Sequence, residues 1–146
     1  MPGTNSNTVL YATRGVRYVI TKIASGTTSA TQTDVIDAAT TYGTVVTDVL
    51  FRSKDASARN FDIFVCTTGG VGSANPIVQI QVPANSGNNG STAIASLASL
   101  APQLFDVDLA GNRVIGIDTG ISIYVQLTAT SAGDIIVTVK ARDYTP

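Results

Sequence analysis

Apolar and polar residues alternate one for one through the last third of the chain. Ile121, Ile123, Val125 and Leu127 alternate with Ser122, Tyr124, Gln126 and Thr128. After a polar stretch at 130–134, Ile135, Val137, Val139 and Ala141 fall on one face, with Thr138, Lys140 and Arg142 on the other. A period of two belongs to a half-buried strand, whereas a helix would repeat its apolar positions every third or fourth residue. Two such runs around a short loop containing Gly133 predict an antiparallel hairpin.

The same signature recurs upstream. Residues 9–23 read as one or two strands, broken or bulged near Arg14-Gly15, and Val35-Ile36 mark a short strand between loops at 25–29 and 38–43. Residues 44–52 form a strand with Val45, Val49 and Phe51 on one face. Residues 60–66 return with Phe61, Ile63 and Val65 inward, which predicts a second hairpin around the polar turn at 53–58. A Gly-rich loop at 67–75 leads to the alternation of Val78, Ile80 and Val82, which Pro83 ends because it lacks a backbone donor.

One segment departs from the period of two. Ile94, Leu97, Ala98 and Ala101 are spaced i, i+3, i+4 and i+7. They predict a helix at 92–101, with Ser91 or Thr92 as its cap and Pro102 as its stop. Residues 1–8 are polar and should form an extended arm without a core of its own, held by a neighbouring subunit. The expectation is an all-β chain: a single antiparallel β-sandwich at 9–146, jelly-roll-like, with about eight strands and at most one short helix near 92–101. Many of the intervening loops are long for hairpin turns, which favours Greek-key crossings over a simple meander.

Composition agrees. Charged residues are 13% of 146, every acidic residue is Asp, and Thr, Ser, Asn and Gly fill the polar positions. Strands and turns prefer these residues, and helices prefer the missing Glu. The net charge is −1, and the six Arg and three Lys are scattered. Phosphate-backbone binding needs clustered cations, so direct nucleic-acid binding is not expected. No apolar run approaches membrane-spanning length, and no basic-then-apolar segment predicts a secretory signal. The single cysteine, Cys66, cannot form an internal disulfide and reads as a small buried hydrophobe.

The chemistry of the chain argues against an enzyme. Without His there is no Ser-His-Asp or Cys-His set, and zinc loses its usual ligands. Asp118-Thr119-Gly120 has the form of an aspartic-protease loop, but it lies near the end of the chain without that family's downstream apolar-apolar-Gly motif. It reads as a turn in which Asp118 bonds its own backbone and Gly120 supplies a positive φ. The pairs Asp106/Asp108 and Asp34/Asp37 lack the twelve-residue pattern of a calcium loop and read as local turns. Thr68-Gly-Gly-Val-Gly72 has no following Lys-Ser or Lys-Thr and is a loop. No cofactor or metal is expected. Arg14, Arg17, Arg52 and Arg59 flank strands, either as solvated edges or as contact residues. Tyr11, Tyr18, Tyr42, Tyr124 and Tyr144 are spread along the chain, which suits core edges and subunit contacts better than a sugar-binding face.

Several stretches together resemble small structural proteins of tailed-bacteriophage particles. They are the polar start leading into Val9-Leu10-Tyr11-Ala12-Thr13, the Thr/Ser/Gly loops, and the block Thr47-Asp48-Val49-Leu50-Phe51-Arg52-Ser53. The apolar connector at 94–105 and the closing strands ending at Asp143-Tyr144 complete the likeness. The resemblance implies a jelly-roll-like sandwich in a head-decoration, head-fibre, neck or tail position, built as a homo-oligomer. It implies no catalytic residue. The expected partners are copies of the chain and other virion proteins, such as the major capsid or neck proteins. The expected place is the virion, assembled in the host bacterial cytoplasm. Asn5, Thr8, Arg14, Arg17 and Tyr144 are the candidate contact residues, being near the termini and on the first strand. The alternative is a carbohydrate- or receptor-binding sandwich, for which aromatic residues would converge with Asn and Asp on loops at one end.

Overall fold

A computed structural model describes residues 15–39, 41–70 and 75–144. The predicted arm at 1–8 and the strand portion at 9–14 lie outside these residues. Among the described residues, ten strands form two antiparallel sheets. They are β1 Arg17–Ile23, β2 Gln32–Asp37, β3 Thr44–Ser53, β4 Arg59–Thr67, β5 Val78–Val82, β6 Ala95–Ser96, β7 Asp106–Val107, β8 Arg113–Ile117, β9 Ile121–Leu127 and β10 Ile135–Asp143. Sheet one runs β1-β10-β3-β8-β7, with β6 also on β3, and sheet two runs β2-β9-β4-β5. The pairs β1·β10, β2·β9, β3·β8 and β4·β5 are nested, as in one long hairpin, and β10·β3 and β9·β4 roll that hairpin into two layers. This is the jelly roll, the expected fold class.

The alternation seen in the sequence fills the space between the layers. Ile135, Val137, Val139 and Ala141 are all fully buried, as are Val49, Phe51, Phe61 and Val125. Phe51 of sheet one meets Phe61 of sheet two with ring centroids 5.3 Å apart, within the range of favourable aromatic pairs.

Both predicted hairpins are overturned. β9 belongs to sheet two and β10 to sheet one, and β3 and β4 are likewise in different sheets. The polar stretches at 128–134 and 54–58 therefore cross between layers and do not join paired neighbours. A turn signal says that the chain reverses, while the choice of partner is made by long-range burial.

The helix is a single turn, Leu97–Leu100, followed by a 3₁₀ turn at Pro102–Leu104. The earlier part of the predicted helix is extended, because Ala95 pairs with Phe51 and Ser96 with Leu50, completing sheet one beyond the reach of β8. Neither Ser91 nor Thr92 caps the turn. Asp48 does so from β3, accepting from Ala98 N–H at 3.2 Å and Ser96 Oγ at 2.6 Å.

Sheet one also carries a bulge. The register shifts between Lys140 and Ala141, so that Lys140 faces Asp48 and Ala141 faces Val46. The extra residue, Thr47, breaks the alternation of β3. Val46 therefore turns inward with Val49 and Phe51, and Val45, expected inward, joins Arg142 and Gly116 on the outer face.

Four connections cross between the sheets at one end, and Asp55 ties three of them. Its carboxylate is 1% exposed and accepts from Arg59 Nε at 2.6 Å and Nη2 at 3.1 Å, Ser57 N–H at 2.9 Å, and Ala132 N–H at 2.7 Å in the β9–β10 crossing. Its backbone carbonyl accepts from Asn85 N–H, at 2.9 Å, in the β5–β6 crossing. Burial alone would push this carboxyl upward, but the Arg59 guanidinium and the two N–H groups outweigh it and hold the pKa at about 2. The unfolded carboxyl binds a proton more readily than the folded one. Asp55 therefore stabilises the fold above the ordinary carboxylate pKa of 3.8, and its contribution is lost as pH falls from about 4 through about 2. Asp55→Asn removes the buried charge and leaves the half-buried Arg59 without its partner, and is expected to cost up to about 3–5 kcal/mol. Urea unfolding at neutral pH measures it, and a change within experimental scatter would show that the clasp is not holding the crossings.

Candidate interaction surfaces

Arg17 and Tyr144 lie at the same end of the sandwich, opposite Asp55, because β1 begins where β10 ends. Arg17 pairs with Asp143 Oδ1, 3.0 Å from Nη2 and 3.1 Å from Nε, and also donates to the Asp37 carbonyl. Thr44 Oγ1 donates to the same Asp143 oxygen at 2.7 Å and accepts from Ala39 N–H at 2.8 Å. Tyr144 N–H donates to the Gly43 carbonyl at 3.1 Å. Gly43 has φ +83°, and a Cβ there would lie 2.5 Å from the Ile117 carbonyl oxygen, so only glycine fits. This end is a braced rim that presents the faces of Arg17 and Tyr144. Asn5, Thr8 and Arg14 lie outside the described residues, as does Tyr11.

The outer face of sheet one is unusual along β1. Tyr18 is 59% exposed and Ile20 68%, with Val16 exposed just before them. Their cross-strand neighbours on β10 are Lys140 and Thr138, and Leu50 of β3 extends the second row. β1 therefore shows apolar side chains on both faces. Tyr18 was expected, with the other tyrosines, at a core edge or subunit contact, whereas Ile20 was not singled out, although its alternation with Val19 and Thr21 is the signal that marks it.

The outer face of sheet two carries a polar network that depends on a second bulge. Residues three apart in a regular strand point to opposite faces. In β2 the register shifts between Asp34 and Ile36, so Val35 and Ile36 are both buried while Asp34 and Asp37 emerge side by side. Ser122 Oγ donates to Asp37 Oδ1 and also bonds the Thr68 hydroxyl, and the Tyr124 hydroxyl accepts from Gly69 N–H at 2.9 Å. Partial burial, and next the neighbouring Asp37, push the Asp34 carboxyl up to about 6. Burial, with the Asp34 charge, pushes the Cys66 thiol up as well. The network offers no activated nucleophile: the Ser122 hydroxyl is sealed from solvent, and a thiol pushed upward stays protonated.

The remaining sequence candidates are local. Thr119 N–H donates to Asp118 Oδ1 at 2.7 Å and Gly120 takes φ +75°, so the protease-like triplet is the expected turn, here linking β8 to β9 across the layers. Asp108 bonds Ala110 and Asn112 within its own loop. Arg59 is neither a solvated edge nor a contact residue, being committed to Asp55. The described tyrosines do not converge. Tyr18 lies outside sheet one, Tyr124 is buried on sheet two, and Tyr42 and Tyr144 stand near the braced rim. Among the described residues, no helix is long and apolar enough to cross a membrane.

The surface features of this jelly roll are thus one apolar edge strand, a braced rim and a polar network on sheet two. No family model matches the chain, and the curated proteins include no match to it. The chain is similar to a solved chain described as "Cyanophage Pam1 capsid asymmetric unit". The two are 17% identical, the alignment covers 98% of this chain and 99% of that chain, and the TM-score is 0.44.

The Asp34 pair has a measurable signature. Between pH 4 and 6 the folded chain holds a proton on Asp34 that the unfolded chain has released, so this group's contribution favours folding as pH falls through about 6 and opposes it as pH rises. A carboxyl-carbon NMR titration should show Asp34 with a midpoint near 6 that moves part of the way towards ordinary values in Asp37→Asn. An ordinary midpoint in the native chain would mean that the two carboxyls do not interact.

Proposed function

We propose that the chain is a non-enzymatic structural component of a bacteriophage particle, which oligomerises and binds capsid, neck or tail proteins. A capsid-decorating or head-associated role fits best, with assembly in the host bacterial cytoplasm. The observation that carries this reading is the state of the sheet edges. β7 is two residues long, β5 ends at Pro83, and β2 is bulged and bears Asp34 and Asp37. Each of these devices discourages pairing with another chain. β1 is seven residues long and unbulged, and its Lys22 is drawn back to Asp134 at 3.0 Å. No strand among the described residues pairs with its outer side, and Tyr18 and Ile20 stand in solvent beside it.

An apolar, regular edge in a chain with 13% charged residues is suited to burial against a neighbour. The jelly roll, a fold used by viral capsids and lectins, and the absence of histidine support the same reading. Arg17 opens β1 at the rim, Tyr144 follows the neighbouring β10 there, and Asn5, Thr8 and Arg14 precede β1 in the chain, which makes all five candidate contacts.

Light scattering coupled to size exclusion tests the reading. The wild-type chain should elute as an oligomer, and Ile20→Lys should shift it to the mass of one chain while the circular dichroism spectrum stays the same. A wild-type chain that remains monomeric at high concentration and fails to bind purified particles would overturn the proposal.

A further inference from the structure

The ladder beside β1 decides which of its backbone groups are free. Lys54 N–H donates to the Asp134 carbonyl at 2.9 Å, while Ser53 N–H turns the other way, to the Ser86 carbonyl at 2.8 Å. Lys54 and Asp134 are therefore a hydrogen-bonded pair of the β3–β10 ladder, and the next pair, Ser53 and Ile135, points its backbone groups away from it. Ile135, Val137 and Val139 thus turn their N–H and C=O groups to β1, where an unbroken register sets them opposite Ile23, Thr21 and Val19. Ser25 N–H, which reaches Asp134 Oδ1 at 2.9 Å, keeps the same parity. The backbone groups of Tyr18, Ile20 and Lys22 point to the open side, and no strand among the described residues takes them.

The same three residues form the outer side-chain row of β1. Tyr18 and Ile20 are exposed, and Lys22 is held by Asp134, so the row brings no unpaired charge to the edge. A chain that covers this edge must offer a strand edge of its own. On a second copy, β7 is too short, β5 stops before Pro83, and β2 is bulged and acidic. Among the described strands, that leaves β1 itself. Two β1 strands related by a two-fold axis run antiparallel and present the same surface to each other. With Tyr18 opposite Ile20, free backbone groups meet free backbone groups, and an aromatic side chain faces a β-branched one on each side of the axis. Such cross-strand pairs are favourable, and no like charges stand opposite each other among residues 16–22.

We propose that a second copy of the chain covers β1, the two β1 strands pairing antiparallel about a two-fold axis at Val19, so that sheet one runs continuously through a dimer. The proposal rests on the reading of the chain as an oligomerising particle component, and it supplies the partner and the register. Sheet two takes no part in the pairing, because β2, which packs against β1, carries the bulge and the carboxyls of Asp34 and Asp37 at that edge.

Cysteine cross-linking tests the register, in a Cys66→Ala background that leaves no other thiol. Val19 bonds to β10, so its two copies form a non-hydrogen-bonded pair across the axis, with Cα atoms about 4.5 Å apart, within the reach of a disulfide. Val19→Cys should become a covalent dimer under mild oxidation. Thr21→Cys should not, since its two copies are displaced by four residues, about 13 Å along the strand. Amide exchange in the unsubstituted chain supplies a second readout. Tyr18, Ile20 and Lys22 should exchange at least about tenfold more slowly in concentrated than in dilute solution, while Val19 and Thr21 stay protected in both. An oligomer by light scattering whose Val19→Cys form stays uncrosslinked and whose three amides exchange freely would overturn the β1 pairing and leave the particle reading standing. So would a chain that stays single yet binds purified particles. Protection of the three amides only after another particle protein is added would overturn it too, by assigning the edge to a different partner.

Discussion

A chain that rolls a long hairpin into two layers must cross repeatedly between them, and each crossing carries backbone groups past the rim of the core. Here the crossings at one end are tied by the buried Asp55 carboxylate. It joins Ser57 and Arg59 after β3 to Ala132 before β10, and its backbone accepts from Asn85 after β5. A buried charge is tolerated only when paired and hydrogen-bonded, and Asp55 has no unmet demand. Neighbouring Ser86 does the same with a neutral group. Its hydroxyl donates towards the Phe51 and Ala93 carbonyls and accepts from Ala95 N–H at 2.7 Å, which fixes β6 onto β3. The rest of the sandwich depends on these ties, because without them the apolar faces could stack in other orders.

Against that frame, the two bulges explain where the surface departs from the simple alternation of in and out. A strand with a strict period of two buries one face and spends the other on solvent. The bulge in β2 brings two carboxyls together that would otherwise face opposite ways, and the bulge in β3 moves Val45 from the core to the outer face of sheet one. Bulges concentrate where a sheet re-aims side chains, and in this chain both departures on the outer faces start at one.

This also sets how much was legible beforehand. The inward residues of β4, β5, β9 and β10 follow from the period of two, because burial on one face is a local pattern. Sheet membership was not legible. The loop at 130–134 reads as a hairpin turn whether Ile135 returns to β9 or crosses to β3, and only the nested pairing of the whole chain decides. The helix-like spacing of Ile94, Leu97, Ala98 and Ala101 was real, but Ala95 and Ser96 had an open stretch of β3 to fill, and strand pairing took precedence over a helix too short to stand alone. Neither bulge has a residue signature, so the company of Asp34 with Asp37 and the exile of Val45 appear only in three dimensions.

The edge strands complete the argument. Among the described residues, three of the four sheet edges are shortened, terminated by proline, or bent and acidic, and these are the ordinary means by which a sandwich stays apart from its neighbours. A chain with so few charges relies on such devices more than most. Their absence from β1, where Tyr18 and Ile20 stand outward beside a backbone edge that no strand among the described residues pairs, is therefore informative. If solubility as a single chain were the constraint, one lysine in place of Ile20 would meet it at little cost to the core, since that side chain is 68% exposed. An isoleucine there contributes little to the isolated fold. On the proposed reading, its contribution comes when a neighbour covers the edge.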